Sequence, residues 1–149
     1  MKEADLKKAE WKRLLDLVRH DGLSVAVEHA IKLIKNSDNP LYYGRRFIEL
    51  ALRLKQFEIA GKVIKAVDDI GIPHPIIDNL KGDHLWGLGK HEEAIAFSIK
   101  SANQWLAPYI YYQASKFLAK KGQREKSDYY FEIAVALAKK EEELRENKS

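Results

Sequence analysis

The sequence contains no cysteine and no long apolar segment, and both absences narrow what the chain can be. Without cysteine there are no disulfides, no thiolate metal ligands and no cysteine nucleophile. The longest purely apolar run, 133–138, is far shorter than the roughly 18 residues that a membrane-spanning helix needs. The segment 1–10 is charged throughout and lacks the apolar core of a signal peptide. We therefore expect a soluble cytoplasmic protein with no membrane partner.

An excess of charge of one sign is also missing. The 149 residues include 26 Lys and Arg against 22 Asp and Glu, which leaves a net charge of +4. So small an excess does not indicate a nucleic-acid partner. The hydrophobic share of 46% is that of a folded chain rather than a disordered one, and the length suits a single domain over 1–149.

Motifs for catalysis and metal binding are missing as well. The chain has five histidines, His20, His29, His74, His84 and His91. They have neither the spacing nor the convergence of a zinc site. The segment 87–90 (Gly-Leu-Gly-Lys) lacks the preceding strand and the spacing of a phosphate loop, and no Gly-x-Ser-x-Gly occurs. We expect no enzyme activity, cofactor or metal, and we interpret Gly89 as the residue that follows a helix end.

What the sequence does contain is apolar residues at helical spacing. Trp11, Leu14, Leu15 and Val18 lie on one face of a helix, and similar patterns recur along the chain. No stretch alternates polar and β-branched residues as a strand would. Breaks are predicted at 20–22, 36–40, 71–75, 87–90, 107–108 and 121–122. The pattern predicts an all-α fold of eight helices.

A second, longer period runs through the same pattern. Pro40 and Pro108 are 68 residues apart, twice 34, and Pro75 lies near the midpoint. Each proline suits the first turn of a helix, where its missing N–H costs nothing. Small residues recur at spacings of 34, 34 and 33, at Ala26, Ala60, Ala94 and Ser127. The pattern therefore predicts that the chain consists of helix-turn-helix units of about 34 residues.

The segment 89–95 (Gly-Lys-His-Glu-Glu-Ala-Ile) resembles the turn and second-helix start of a tetratricopeptide repeat (TPR), in which a small residue follows the turn by five positions. The segment 122–127 is similar. The resemblance implies an α-solenoid of helical hairpins wound into a right-handed superhelix. It places repeats at about 7–40, 41–74, 75–107 and 108–141, with a polar helical extension to 149. Leu14 and Ile48 replace the family's small residue, so the first two repeats are expected to be degenerate.

In TPR arrays the first helices of the pairs line a concave groove. The resemblance places the following residues there: Trp11, Arg19, Tyr42, Arg45, Arg53, Asn79, Trp86, Tyr109, Tyr112, Lys116 and Lys120. This set is aromatic and basic, and the acids beside it are Glu49 and Asp83. Tyr, Trp and Arg carry much of the energy of protein interfaces. We hypothesise a non-catalytic adaptor or scaffold, with a chaperone-like role, that binds an acidic peptide or protein segment.

Three other interpretations stay open. The aromatic residues fill gaps between helices, the basic and aromatic surface binds single-stranded RNA, or the chain self-assembles into a homo-oligomer. We do not expect nucleic acid as the partner, because Glu49 and Asp83 oppose a phosphate track. Recognition of chaperone C-terminal carboxylates is not expected either. Trp11, Leu15 and Glu49 stand where that subset of the family has Lys and Asn.

Overall fold

The computed structural model describes residues 2–147, and within that range it contains eight α-helices and no strand. The helices are α1 (Glu3–Asp21), α2 (Leu23–Asn36), α3 (Pro40–Arg53), α4 (Phe57–Ile70), α5 (Pro75–Gly87), α6 (His91–Trp105), α7 (Pro108–Lys120) and α8 (Arg124–Glu146). The predicted all-α fold of eight helices is confirmed. The polar extension is helical as far as Glu146, and the end of the predicted range, 148–149, lies outside the described residues.

The three prolines start helices as the sequence predicts. Pro40, Pro75 and Pro108 are the first residues of α3, α5 and α7. At this position the backbone N–H that proline lacks would have no partner within the helix, and the fixed φ of proline is already helical. At α5 a side chain adds a cap, because Nδ1 of His74 accepts the backbone N–H of Ile76 at 3.0 Å.

Three of the helices that begin a hairpin, α3, α5 and α7, end in the same hydrogen-bonded turn. After α5, Gly89 and Lys90 each donate a backbone N–H to carbonyls of the last helical turn, at 3.0 Å. Gly89 has a φ of +81°, as expected for a residue that follows a helix end, and Gly122 repeats this after α7 with +74°. After α3 the same position is Lys55, with a φ of +58°. No glycine or proline marks this turn, so the predicted breaks missed it.

The chain divides into two compact units, one ending at Pro73 and one beginning at His74. In unit 1, α2 packs against α1, α3 and α4, and α3 also packs against α4. In unit 2, α6 packs against α5 and α7, and α7 also packs against α5 and α8. The four repeat boundaries within a single domain stay a prediction.

The recurring small residues lie inside the two units. Ala26, Ala60 and Ala94 are fully buried in α2, α4 and α6, and Ser127 is 7% exposed in α8. Ser127 makes a reciprocal contact with Ser115 of α7, because each hydroxyl donates to the other residue's backbone carbonyl at 2.8 Å. Such contacts require short side chains on both helices. The spacing of small residues therefore reports where helices approach each other.

In the second predicted repeat the closest approach lies one turn earlier than the resemblance implies. Ile48 is fully buried in the core, whereas Gly44 faces α4. A Cβ atom on Gly44 would lie only 2.5 Å from Cγ2 of Val67. Val67 is 1% exposed and cannot move away easily. A glycine four residues before Ile48 thus allows α3 and α4 to pack.

Substituting Gly44 tests this close approach. We expect Gly44→Ala to destabilise the protein by about 1–2 kcal/mol, because overpacking exceeds the gain in helix propensity. Chemical denaturation followed by circular dichroism measures the change. In the Val67→Ala background the clashing methyl group is gone, so the same substitution should no longer destabilise. Equal effects in both backgrounds would contradict the assignment.

Lys55 provides a second test, in the turn after α3. A residue with a Cβ pays a conformational cost in the left-handed region that glycine does not. We expect Lys55→Gly to stabilise the protein by about 1 kcal/mol. Lys55→Ala is the matched control, since it removes the same side chain but keeps the Cβ. Thermal unfolding should show a rise in Tm for the glycine variant alone.

Candidate functional site

In unit 1 the first helices, α1 and α3, meet in a cluster of cations and aromatic rings. The guanidinium carbon of Arg46 lies 5.4 Å from the Trp11 ring centroid and 5.1 Å from that of Tyr42. Arg46 also donates a hydrogen bond from Nη1 to the Tyr42 hydroxyl at 3.2 Å. Nζ of Lys7 lies 5.4 Å from the same Tyr42 ring. We call these four residues the α1–α3 cluster.

The α1–α3 cluster was only half predicted. Trp11 and Tyr42 were assigned to the groove, but Arg46 was not. A signal for Arg46 was available, because it follows Tyr42 by four residues and therefore shares its helix face. Arg46 thus links Trp11 and Tyr42, the two aromatic residues that the TPR resemblance placed in the groove, although the resemblance did not place Arg46 there.

A buried tyrosine connects the same two helices below the cluster. Tyr43 is 2% exposed, and its hydroxyl donates a hydrogen bond to the carboxylate of Glu10 in α1. Burial is the main reason that the pKa of Tyr43 is raised, and the hydrogen bond to Glu10 adds to the effect. The hydroxyl therefore stays protonated and keeps α1 and α3 together.

The other predicted cations of unit 1 lie apart from the α1–α3 cluster. Nε of Arg45 is 2.9 Å from Oε1 of Glu49, one helical turn further along α3. Arg19 lies 3.5 Å from Asp16, and its side chain is 73% exposed. Arg53, the last residue of α3, is also exposed. Exposed pairs of this kind add little to stability.

In unit 2, Trp86 of α5 packs between rings of the two following helices. Its ring stacks on Phe117 of α7 with centroids 4.5 Å apart and on His91 of α6 with centroids 3.9 Å apart. The planes are within 5° and 21° of parallel. Trp86 therefore fills the space between helices, one of the open interpretations of the aromatic residues. Its part in binding a ligand stays a prediction.

Exposed lysines of α7 lie over the rings of unit 2. Nζ of Lys116 is 5.0 Å from the Tyr112 ring centroid, and Nζ of Lys120 is 5.5 Å from that of Trp86. Tyr112 is 46% exposed and Tyr109 is 39% exposed, so both keep surface for a partner. With Asp83 of α5, the residues Trp86, Tyr112, Lys116 and Lys120 form what we call the α5–α7 surface.

A buried amide supports the α5–α7 surface from below. Gln113 is 3% exposed, and its Oε1 accepts the hydroxyl proton of Ser98 in α6 at 2.9 Å. Its Nε2 donates to the backbone carbonyl of Asn79 at 2.6 Å and to Oδ1 of Asp83 at 2.9 Å. A Cβ on Gly82 would come within 2.9 Å of this amide, so glycine makes room for it. Asn79, predicted as a ligand contact, contributes its main chain here.

The carboxylate of Asp83 is subject to opposing influences. Desolvation is the largest and raises the pKa of Asp83, although the residue as a whole is exposed to solvent. The hydrogen bond from Gln113 and the charges of Lys116 and Lys120 act in the opposite direction. Asp83 is therefore an acid that both lysines influence, and the sequence pointed to it only as an exception in a basic groove.

The structure also bears on metal binding and on membrane-spanning helices. Among residues 2–147, no three or more His, Cys, Asp or Glu side chains are placed to share a metal ion. Within the same residues, every helix is too short or too polar to cross a bilayer.

Comparison with known proteins gives the fold class. No family model matches the sequence, and no curated protein matches it. Solved structures of MamA do match. MamA from Desulfovibrio magneticus RS-1, from residue 41 to its end, is 17% identical with a TM-score of 0.64, over 89% of this chain and 76% of that one.

Two further MamA structures agree with this one. The RS-1 double mutant ArsTM is 17% identical with a TM-score of 0.63, over 90% of this chain and 76% of that one. MamA MSR-1 C2 is 13% identical with a TM-score of 0.59, over 84% and 72%. At these identities the similarity concerns the fold alone. The chain has a TPR-like helical repeat fold, the α-solenoid class that the sequence predicts.

Two neighbouring arginines test the α1–α3 cluster. Arg46→Ala removes a cation that lies over two rings, and we expect it to cost about 1–2 kcal/mol of unfolding free energy. Arg45→Ala is the matched control, since it removes an exposed helical ion pair worth about 0.5 kcal/mol or less. Urea denaturation of both variants measures the difference. If the two losses were equal, Arg46 would have no special role.

Proposed function

We propose that the chain is a non-catalytic protein-interaction module that binds acidic peptide or protein segments. The proposed binding surfaces lie on the first helices of the hairpins, which are α1 and α3 in unit 1 and α5 and α7 in unit 2. One observation carries this proposal. In each unit, lysine or arginine side chains lie over aromatic rings on the first helices, and rings of unit 2 remain open to solvent. The TPR-like fold supports it, because this fold class presents its first helices to partners.

The chemistry of these residues suits a peptide that combines a few separated acidic side chains with apolar ones. A ring offers a large, rigid apolar contact at a small entropic cost, and a nearby ammonium group can pair with a carboxylate. On the α5–α7 surface, Lys116 and Tyr112 provide this combination within 5.0 Å. Tyr109, on the same helix, extends the aromatic surface. A partner could thus satisfy its charge and bury apolar area at once.

The residues assigned to binding follow from this arrangement. We propose that they comprise Trp11, Arg19, Tyr42, Arg45, Arg53, Asn79, Trp86, Tyr109, Tyr112, Lys116 and Lys120, together with Arg46. Tyr112 and Lys116 are expected to contribute most, because their side chains are exposed and adjacent. Trp86 and Asn79 are expected to act mainly by supporting the surface.

Reversing the charge of the two lysines tests the proposal. The probe is a short rhodamine-labelled peptide in which single Asp or Glu residues are separated by several uncharged residues, Leu and Phe among them, and its binding is measured by fluorescence anisotropy. We expect Lys116→Glu with Lys120→Glu to weaken its binding by about tenfold or more, because two attractive pairs become repulsive. Circular dichroism should be unchanged, since both side chains are exposed.

The control has the same change in net charge at another place. Lys62 and Lys65 are exposed residues of α4, a second helix, and their double change to Glu should leave the peptide's affinity within about twofold. An equal loss in both double variants would show that only bulk charge matters. Tighter binding of single-stranded RNA than of peptide by the wild-type chain would favour the RNA alternative. Light scattering at the same concentrations reports self-assembly.

A further inference from the structure

An aspartate is held in place within the otherwise basic α5–α7 surface. Oδ1 of Asp83 accepts the Nε2 proton of Gln113 at 2.9 Å. The amide cannot turn over, because Ser98 donates to its oxygen and the backbone of Asn79 accepts from its nitrogen. Gly82 lies beside the same amide, at a position where any side chain would collide with it. This hydrogen bond therefore holds the carboxylate at the surface, although Asp83 as a whole is exposed.

A fixed carboxylate beside two lysines affects ligands according to their charge. Its negative charge acts on Lys116 and Lys120 in the free protein, and it repels any anion that approaches them. The repulsion grows with each further negative charge that the ligand places nearby. A peptide with isolated acids loses little affinity, whereas a chain with a charge at every monomer loses much more.

Single-stranded RNA is the ligand that this effect would exclude. Proteins that bind it without sequence preference combine lysines or arginines along the phosphates with aromatic rings on which bases stack. The α5–α7 surface has both, in Lys116, Lys120 and the half-exposed ring of Tyr112. What distinguishes it from such a site is the carboxylate of Asp83.

We propose that Asp83 is a specificity-determining residue, which keeps the α5–α7 surface selective for acidic peptides by excluding polyanionic RNA. Specificity of this kind arises from an unfavourable interaction with the wrong ligand rather than from a better fit to the right one. The proposal rests on the proposed function, since it assumes that this surface binds acidic peptides.

The structure offers an isosteric test with a matched control. Asp83→Asn removes the charge but keeps an oxygen that accepts the Gln113 hydrogen bond. Asp78→Asn makes the same chemical change on the same helix, at a carboxylate whose Oδ2 accepts the indole N–H of Trp105 at 2.8 Å. Both variants gain one unit of net charge. Asp83 is the carboxylate of the two whose charge interacts with Lys116 and Lys120.

The probes are the rhodamine-labelled acidic peptide and rhodamine-labelled oligouridylate, measured at one fixed salt concentration. We expect Asp83→Asn to tighten oligouridylate binding about tenfold and peptide binding about threefold or less. Asp78→Asn should change either affinity by less than about twofold. Equal gains for the two probes, or equal effects of the two variants, would overturn the proposal.

Acid titration of the wild-type chain tests the same point without a substitution. Lowering the pH protonates Asp83, whose pKa is raised, and so removes the repulsion. Oligouridylate keeps its charge while Asp83 becomes protonated. Its affinity for the wild-type chain should therefore rise toward its affinity for the Asp83→Asn variant. The variant retains Lys116, Lys120 and the neighbouring His84, so the difference between the two pH profiles isolates Asp83. Parallel profiles would contradict the proposal.

Failure of the proposed function would look different. If the wild-type chain does not bind the acidic peptide, or binds it independently of Lys116 and Lys120, the proposed function is wrong whatever Asp83 does. If the peptide binds through these lysines but Asp83→Asn gains no affinity for oligouridylate, only the role of Asp83 is wrong.

Discussion

The structure depends on how closely neighbouring helices can approach, since a helical hairpin has no central core and must bury its apolar face against the next helix. Close approach requires a small residue on at least one side. Gly44 meets this need against Val67, and the reciprocal hydrogen bonds of Ser115 and Ser127 meet it between α7 and α8. Once those contacts set the rotation of each helix, the opposite side chains of α1, α3, α5 and α7 are set as well. The arrangement of cations over rings is therefore a consequence of core packing.

The buried amide of Gln113 is where packing and surface chemistry are joined. A polar side chain at 3% exposure is stable only if its donors and acceptor are satisfied, and here Ser98, Asn79 and Asp83 satisfy them. Glycine at position 82 provides the space. The same network that makes the amide acceptable in the core fixes a charge on the surface. Stability and ligand selectivity in unit 2 therefore share residues, and a change in one affects the other.

The sequence was most informative where a residue type has a single structural use. Proline at the first turn and small residues at a spacing of about 34 predicted the helix starts and the hairpins, since few other roles suit them. It was less informative at Lys55, because the turn that ends α3 places a left-handed backbone at a residue that does not favour it. Side-chain placement was the least predictable. Arg46 lies over the ring of Trp11, although the TPR resemblance placed Arg45 and not Arg46 in the groove. Trp86 packs between helices. Both placements depend on the rotation of one helix against another, which the sequence does not give.

Composition alone does not choose the ligand of a basic, aromatic surface, because lysines and rings serve acidic peptides and single-stranded RNA equally well. The choice requires a feature that treats the two ligands differently. Attraction to the lysines grows with the number of charges on the ligand, and on its own it would favour RNA. Repulsion from the carboxylate of Asp83 grows in the same way, and it therefore costs the more highly charged ligand more affinity. An acid without this partner would turn away, so the partly buried hydrogen bond to Gln113 is what gives the charge of Asp83 its effect. Selectivity in this surface is thus a property of the core beneath it.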